Sequence, residues 1–201
     1  MNRLLDGYRR FRAETWADAR AHYEELTLGQ NPETMVIACS DSRVDPQTVF
    51  GAAPGELFVV RNIAALVPPY APDGGCHGTS AALEYGVRVL KVARIVVLGH
   101  ALCGGVRGIV EGVPPEASDF VRPWVGMARS ILECIPAGLG ADATLTMGEE
   151  AAVRLSLANL MTFPWIAGPV AAGELALAGY RFGIHDGVLS ELRGAAFAPV
   201  A

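Results

Sequence analysis

Long hydrophobic runs are missing from this sequence. No apolar stretch reaches the roughly 18 residues of a membrane-spanning helix, because Arg94, His100 and Glu174 interrupt the best candidates. The opening residues, Met1-Asn2-Arg3-Leu4-Leu5-Asp6, hold no apolar signal core, so a cytoplasmic protein is expected. Positive charge is also scarce. Sixteen Lys and Arg against 21 Asp and Glu leave a formal charge of −5, which argues against nucleic acid or an anionic membrane as partner. Charged residues make up only 18% and hydrophobic ones 51%, which excludes a disordered chain and fits a surface partly covered by other subunits. The four cysteines are read as metal ligands or buried thiols rather than a disulfide framework. Internal repeats, low-complexity tracts and interdomain linkers are absent, so the 201 residues form one domain with room for an arm.

What is present divides at about residue 30. Residues 1–30 place Leu4, Leu5, Tyr8, Phe11, Trp16, Ala19 and Tyr23 at helical spacing among charges, which predicts a helical arm of one or two amphipathic helices. This arm packs either on a second subunit or on its own domain. Residues 31–201 read as an α/β domain. Residues 35–38, 57–60 and 94–98 are continuous apolar runs, the pattern of parallel strands covered on both faces. A helix is predicted over 77–90, capped by Thr79 or Ser80. A short one follows Gly104-Gly105 through Val110, and others are expected over 118–134 and 146–160. Asp186-Gly187 signals a turn beside an edge strand. The predicted fold is therefore a mostly parallel central sheet flanked by helices, with an antiparallel edge strand.

Two motifs close two of the strands. Cys39-Ser-Asp-Ser-Arg43 follows the first, and His100-Ala-Leu-Cys103 ends the third. Ligands bind at the carboxyl ends of strands in open α/β sheets. Two thiols and an imidazole are the donor set of a catalytic zinc that keeps a fourth position open. A small buried hydrophobe is the ordinary reading of a lone cysteine; Cys134, in a helical pattern, is read as inert. Cys39 and Cys103 differ in standing at strand ends beside polar residues and glycines. Cys76, next to His77, is a weaker metal candidate, while His22 and His185 are read as surface or hydrogen-bonded groups. Asp41 and Arg43 are either a loop ion pair or a functional one. In the second case Asp41 competes for the metal, and Arg43, clasping both carboxylate oxygens, decides whether it binds.

Taken together, Cys-x-Asp-x-Arg and His-x-x-Cys-Gly-Gly resemble the β-class carbonic anhydrases. The likeness extends through Gly55–Ala64, Leu66–Tyr70 and Gly78–Tyr85. The resemblance implies one Zn²⁺ per chain on Cys39, His100 and Cys103, with Asp41 a fourth ligand only in a closed form. It implies catalytic roles for Asp41 and Arg43, and a substrate pocket of Gln30, Phe58, Ile63, Tyr85 and Gly104 in the manner of the plant-like branch. It further implies a homodimer or dimer of dimers whose pocket borrows residues from the second subunit. A bacterial branch carries a regulatory bicarbonate pocket. Here Arg61 matches its Arg, but Val36 stands where its Trp would be, and Phe182, with Tyr180 nearby, where its Tyr would be. An open zinc without that form of inhibition is expected. Ala65 replaces the Asn usual after Arg-Asn-Ile-Ala.

The implied reaction is the reversible hydration of CO2 to bicarbonate and a proton, with hydroxide on zinc as nucleophile. Two thiolates neutralise the ion, so its water is acidified less than by three imidazoles, and activity should rise toward alkaline pH. Buffer, Tyr85 or His22 would carry the proton away. Two other readings share the residues: hydrolysis of carbon disulfide or carbonyl sulfide, and a silent, zinc-stabilised assembly subunit. The Asp41–Arg43 pair speaks against the last, because a structural zinc needs four permanent ligands.

Overall fold

A computed structural model describes residues 2–201 and divides into two compact units, one ending at Asn31 and the other spanning Pro32–Ala201. In the first unit, α1 (Asn2–Arg10) runs through a π-helical turn (Phe11–Thr15) into α2 (Trp16–Leu26). Neither helix has a buried residue. Local contacts hold this unit: Trp16 stacks near Phe11 and Tyr23, with the Arg12 guanidinium 4.9 Å from its ring.

The second unit is built on one six-stranded sheet, ordered β2-β1-β3-β4-β5-β6. Its strands are β1 (Thr34–Cys39), β2 (Leu57–Asn62), β3 (Arg94–His100), β4 (Ala176–Phe182), β5 (Leu189–Arg193) and β6 (Ala196–Pro199). The first four run parallel, and β5 and β6 are antiparallel additions. Successive strand residues point to opposite faces. Met35, Ile37, Ile95 and Val97 therefore pack into a core with Leu83, Val153, Leu160 and Phe163. Val36, Ala38, Val96 and Leu98 pack on the other face with Val44 and Phe50. Burial on both faces is why β1 and β3 lack polar alternation.

The helices of this unit are α3 (Pro46–Phe50), α4 (Gly78–Glu84), α5 (Gly104–Val110), α6 (Val121–Gly126), α7 (Ala141–Leu160) and α8 (Pro164–Ala171). Several depart from the sequence expectation. The helix over 77–90 is α4 followed by a π-helical turn at Tyr85–Val89, and its N-cap is His77. Thr79 lies buried in the first turn, and its hydroxyl accepts from Asn62 Nδ2 at 3.2 Å, so it is not the cap. The stretch 118–134 breaks into α6 and a 3₁₀ segment at Arg129–Cys134, whereas α7 begins five residues earlier than expected. The tail forms three strands, and β4 is interior, between β3 and β5. The turn at Asp186-Gly187 is present, with Gly187 at φ 70°. The short helix α3 had a legible start: Asp45 accepts from Thr48 N at 2.9 Å and Pro46 is the first helical residue.

Between β2 and α4, Ile63–Ala65 form a 3₁₀ turn in which Ala64 and Ala65 have φ of 66° and 53°. Asn tolerates that left-handed conformation better than Ala. This explains why Asn suits position 65, although nothing in the structure explains its replacement here. The Asn62 side chain bridges the turn, donating to Leu66 O at 2.8 Å and accepting from Leu66 N at 2.9 Å. Gly105 in α5 abuts the same turn. A Cβ there would meet Ala64 N at 3.0 Å and Ile63 Cγ2 at 2.7 Å. Replacing Gly105 by Ala should therefore cost about 1–3 kcal/mol through forced backbone movement, seen as a lower urea midpoint at unchanged slope.

Candidate metal centre

Cys39 ends β1 and His100 ends β3, two adjacent parallel strands in register from Thr34 opposite Arg94. The chain then turns through Leu102 at φ 58°, and Cys103 becomes the N-cap of α5. The two sulfurs are 3.9 Å apart, and one donor atom from each of the three residues lies within 4.8 Å of the others. All three are buried. His100 Nδ1 lies 2.8 Å from Ala101 O, and a carbonyl only accepts, so Nδ1 carries the proton and Nε2 presents its lone pair. Nε2 is the buried side-chain atom among the described residues with no hydrogen-bond partner.

These donors fit a tetrahedral ion. Two thiolates each about 2.3 Å from zinc would sit about 3.8 Å apart, close to the observed spacing. An unsatisfied buried nitrogen is costly, and a metal would take up its lone pair. The sulfurs are electrostatically prepared as well. The hydrogen bond from Cys103 draws the Cys39 pKa down to about 4, against the opposing effect of burial, and the Cys103 thiol is pushed up by that same bond and by its own burial. Burial works to lower the His100 pKa, but the Cys39 sulfur, the Ala101 carbonyl and the charge on Asp41 outweigh it and raise it.

Beside this cluster stands a carboxylate that is held elsewhere. Arg43 donates from Nε to Asp41 Oδ1 at 2.9 Å and from Nη2 to Oδ2 at 2.8 Å, and its backbone N–H adds a third bond at 3.0 Å. Arg43 Nη2 also reaches Leu102 O at 3.0 Å, which ties the pair to the turn before Cys103. Arg43 holds the Asp41 carboxyl well below the usual carboxylate range. Asp41 Oδ2 is 3.9 Å from His100 Nε2, near the donors, and takes one bond from Arg43, which leaves it able to accept another. Arg61, on β2, fixes the loop itself by donating to the carbonyls of Cys39, Asp41 and Val44 at 2.6–2.8 Å.

The other expected site residues separate into groups. Gly104 opens α5 directly after Cys103, and Ile63 lies against Gly105, with its carbonyl accepting from Trp124 Nε1 at 2.8 Å. Phe58 and Tyr85 meet each other, rings 5.9 Å apart. Phe58 pairs in register with Met35 and Asn62 with Cys39, so Phe58 sits four residues, about 13 Å, back along the strand from the cluster. Gln30 is exposed in the first unit. Sequence reasoning missed Glu149, Arg181 and the loop-holding role of Arg61. Glu149 was detectable: on α7 it falls four residues after Leu145 and four before Val153, on the buried face.

Among the described residues no helix is long and apolar enough to cross a membrane. The model of the family described as carbonic anhydrase matches residues 34–189. The chain is 38% identical over 183 residues to the chloroplastic β carbonic anhydrase 5 of Arabidopsis thaliana, covering 88% of this chain and 59% of that protein. It therefore spans less than two thirds of that relative. The solved structure of the β-carbonic anhydrase CcaA superposes with TM-score 0.93 at 30% identity, over 100% of this chain and 92% of that one. A structure from work on two tetrameric β-carbonic anhydrases of Sordaria macrospora gives TM-score 0.77 at 30% identity, over 98% and 99%. With fold, donor cluster and the Asp41–Arg43 pair in agreement, the chain belongs to the β class of the carbonic anhydrase family.

Proposed function

We propose that the protein is a zinc-dependent carbonate dehydratase, catalysing the reversible hydration of CO2 to bicarbonate and a proton. The observation that carries this reading is Asp41 held by three hydrogen bonds from Arg43 beside a three-donor cluster. A structural site would use the carboxylate as a fourth ligand, whereas this one restrains it. Cys39, His100 and Cys103 would hold Zn²⁺, which when bound is a Lewis acid able to make a water nucleophilic near neutral pH. Asp41, kept ionised, accepts the proton of the attacking oxygen in a hydrogen bond and sets its direction toward CO2. Arg43 fixes Asp41 in that pose and, through Leu102 O, couples it to the Cys103 turn. The N–H of Gly104, directly after Cys103, would donate to an oxygen of the substrate.

Ile63 gives the site apolar contact within the chain, whereas Phe58 stands four residues back along β2 from the cluster, with the half-exposed Tyr85 beside it. A homodimer or dimer of dimers in which they serve the neighbouring subunit's pocket, with Gln30 binding the anionic product, is the arrangement proposed. The Arg61 guanidinium is engaged by three carbonyls, and Val36 is fully buried, which supports a site free of the regulatory bicarbonate pocket. Exposed free thiols at Cys76 and Cys134 fit a reducing aqueous compartment such as the cytoplasm.

Stopped-flow CO2 hydration by the zinc-loaded protein is the primary test; rates at the buffer background would refute the reading, and turnover of carbonyl sulfide alone would favour the alternative hydrolase. Substituting Arg43 by Ala should release Asp41 to the metal. CO2 hydration is then expected to fall roughly 10–100-fold with zinc content unchanged, measured by stopped flow beside metal analysis.

Metal binding should also expel protons. Cys39 is drawn toward its ionised form and Cys103 is held protonated, so zinc binding should release the Cys103 proton, and more protons at lower pH as His100 must also discharge. Zinc affinity therefore rises with pH. Calorimetry in two buffers of different ionisation enthalpy checks both statements, and pH-independent affinity with no proton release would contradict them.

A further inference from the structure

Glu149 is a carboxylate fully buried in α7, in a helix face otherwise made of Leu145, Gly148, Ala152, Val153 and Ser156. Two groups occupy its oxygens. Oε1 accepts from the backbone N–H of Cys103 at 3.2 Å. Oε2 accepts from Arg181 Nε at 2.9 Å and lies 2.7 Å from Arg181 Nη2. Arg181 comes from β4, opposite Gly99 of β3, so the carboxylate links the helix, the sheet and the metal-site turn. A buried ion pair of this kind contributes little net stability compared with an apolar pair of similar volume. Its presence calls for a task other than holding the fold.

We propose that Glu149 is a positioning residue for Cys103: it fixes the amide of that residue and hence the bearing of the sulfur toward the metal, with Arg181 orienting the buried carboxylate through Nε and Nη2. This rests on the reading that Cys39, His100 and Cys103 hold zinc. The chemistry favours a carboxylate over other side chains. Every group facing Glu149 is a donor, so both of its oxygens must accept. A Gln offers one acceptor only and leaves either the Cys103 amide or Arg181 facing an N–H. The Leu102 turn needs such an anchor, because its left-handed backbone is strained for a branched residue and it carries the Arg43 contact on the carbonyl side. One strained peptide is thus gripped at two points, Leu102 O by Arg43 and Cys103 N by Glu149.

The test compares two doubly neutral variants that differ in a single acceptor. Glu149→Gln with Arg181→Met removes both charges and frees the Gln oxygen for the Cys103 amide. Glu149→Leu with Arg181→Met removes the charges and the acceptor together. Zinc affinity is read by competition with a chromophoric chelator, and cobalt substitution gives the thiolate charge-transfer and ligand-field bands. The Gln/Met protein should bind zinc within about threefold of wild type and keep its cobalt spectrum. The Leu/Met protein should bind roughly 10–100-fold more weakly, the usual scale for loss of a group that orients a ligand, with shifted bands. Urea unfolding of the metal-free proteins identifies any stability difference, which should be small between the two. Equal affinities and spectra in the two variants would overturn the proposal while leaving the zinc reading intact. A wild-type protein that binds no zinc would overturn both.

Discussion

The parallel register of β1 and β3 is the constraint on which the rest depends. Thr34 pairs with Arg94 and Ala38 with Leu98, so the two strands end side by side and deliver Cys39 and His100 to the same edge of the sheet. Ala38 opposite Leu98 leaves Cys39 one residue and His100 two residues past the paired stretch, so the two donors meet at the strand ends rather than on one face of the sheet. The register is fixed by burial on both sides: Met35, Val36, Ile37 and Ala38 are all inaccessible to solvent. The fold thus uses its best-packed region to aim its most reactive atoms.

Around those atoms the polar groups divide into donors that face carbonyls and donors that face carboxylates. Arg61 gathers three carbonyls of the Cys39–Val44 loop, and Arg43 closes on Asp41 and Leu102 O. Glu149 takes the amide on the far side of the same turn. Each backbone segment bearing a metal donor is therefore tied to a charged side chain from another element. What stays unsatisfied is His100 Nε2, aimed at the two sulfurs. A buried nitrogen without a partner is unfavourable in the metal-free protein, and these three donors could take up a cation that would satisfy it.

The place of Phe58 and Tyr85 follows from the same sheet. Phe58 and Tyr85 lie toward the amino ends of the strands, away from the donors at the carboxyl ends. The donor cluster and this pair of rings therefore stand at opposite ends of the strands, an arrangement that suits the proposed sharing of pockets between subunits. The partial exposure of Ile63, Tyr85 and Leu102 agrees with that reading.

Much of this was legible in the linear chain, because the signals were local. Continuous apolar runs marked β1, β2 and β3, a thiol or imidazole closed two of them, and Asp41 and Arg43 stood close enough to declare a pair. What the chain could not declare were relations between distant segments. Glu149 and Cys103 are 46 residues apart, Glu149 and Arg181 32 apart, and Asn62 takes the hydroxyl of Thr79 that was expected to cap α4. The interior place of β4 and the added β5 and β6 depended on pairing partners far along the chain. Residue type and spacing determined the donor set and strand segments; only packing decided which buried carboxylate takes the Cys103 amide and which aromatic rings lie away from the cluster, since those outcomes depend on what each side chain meets in space.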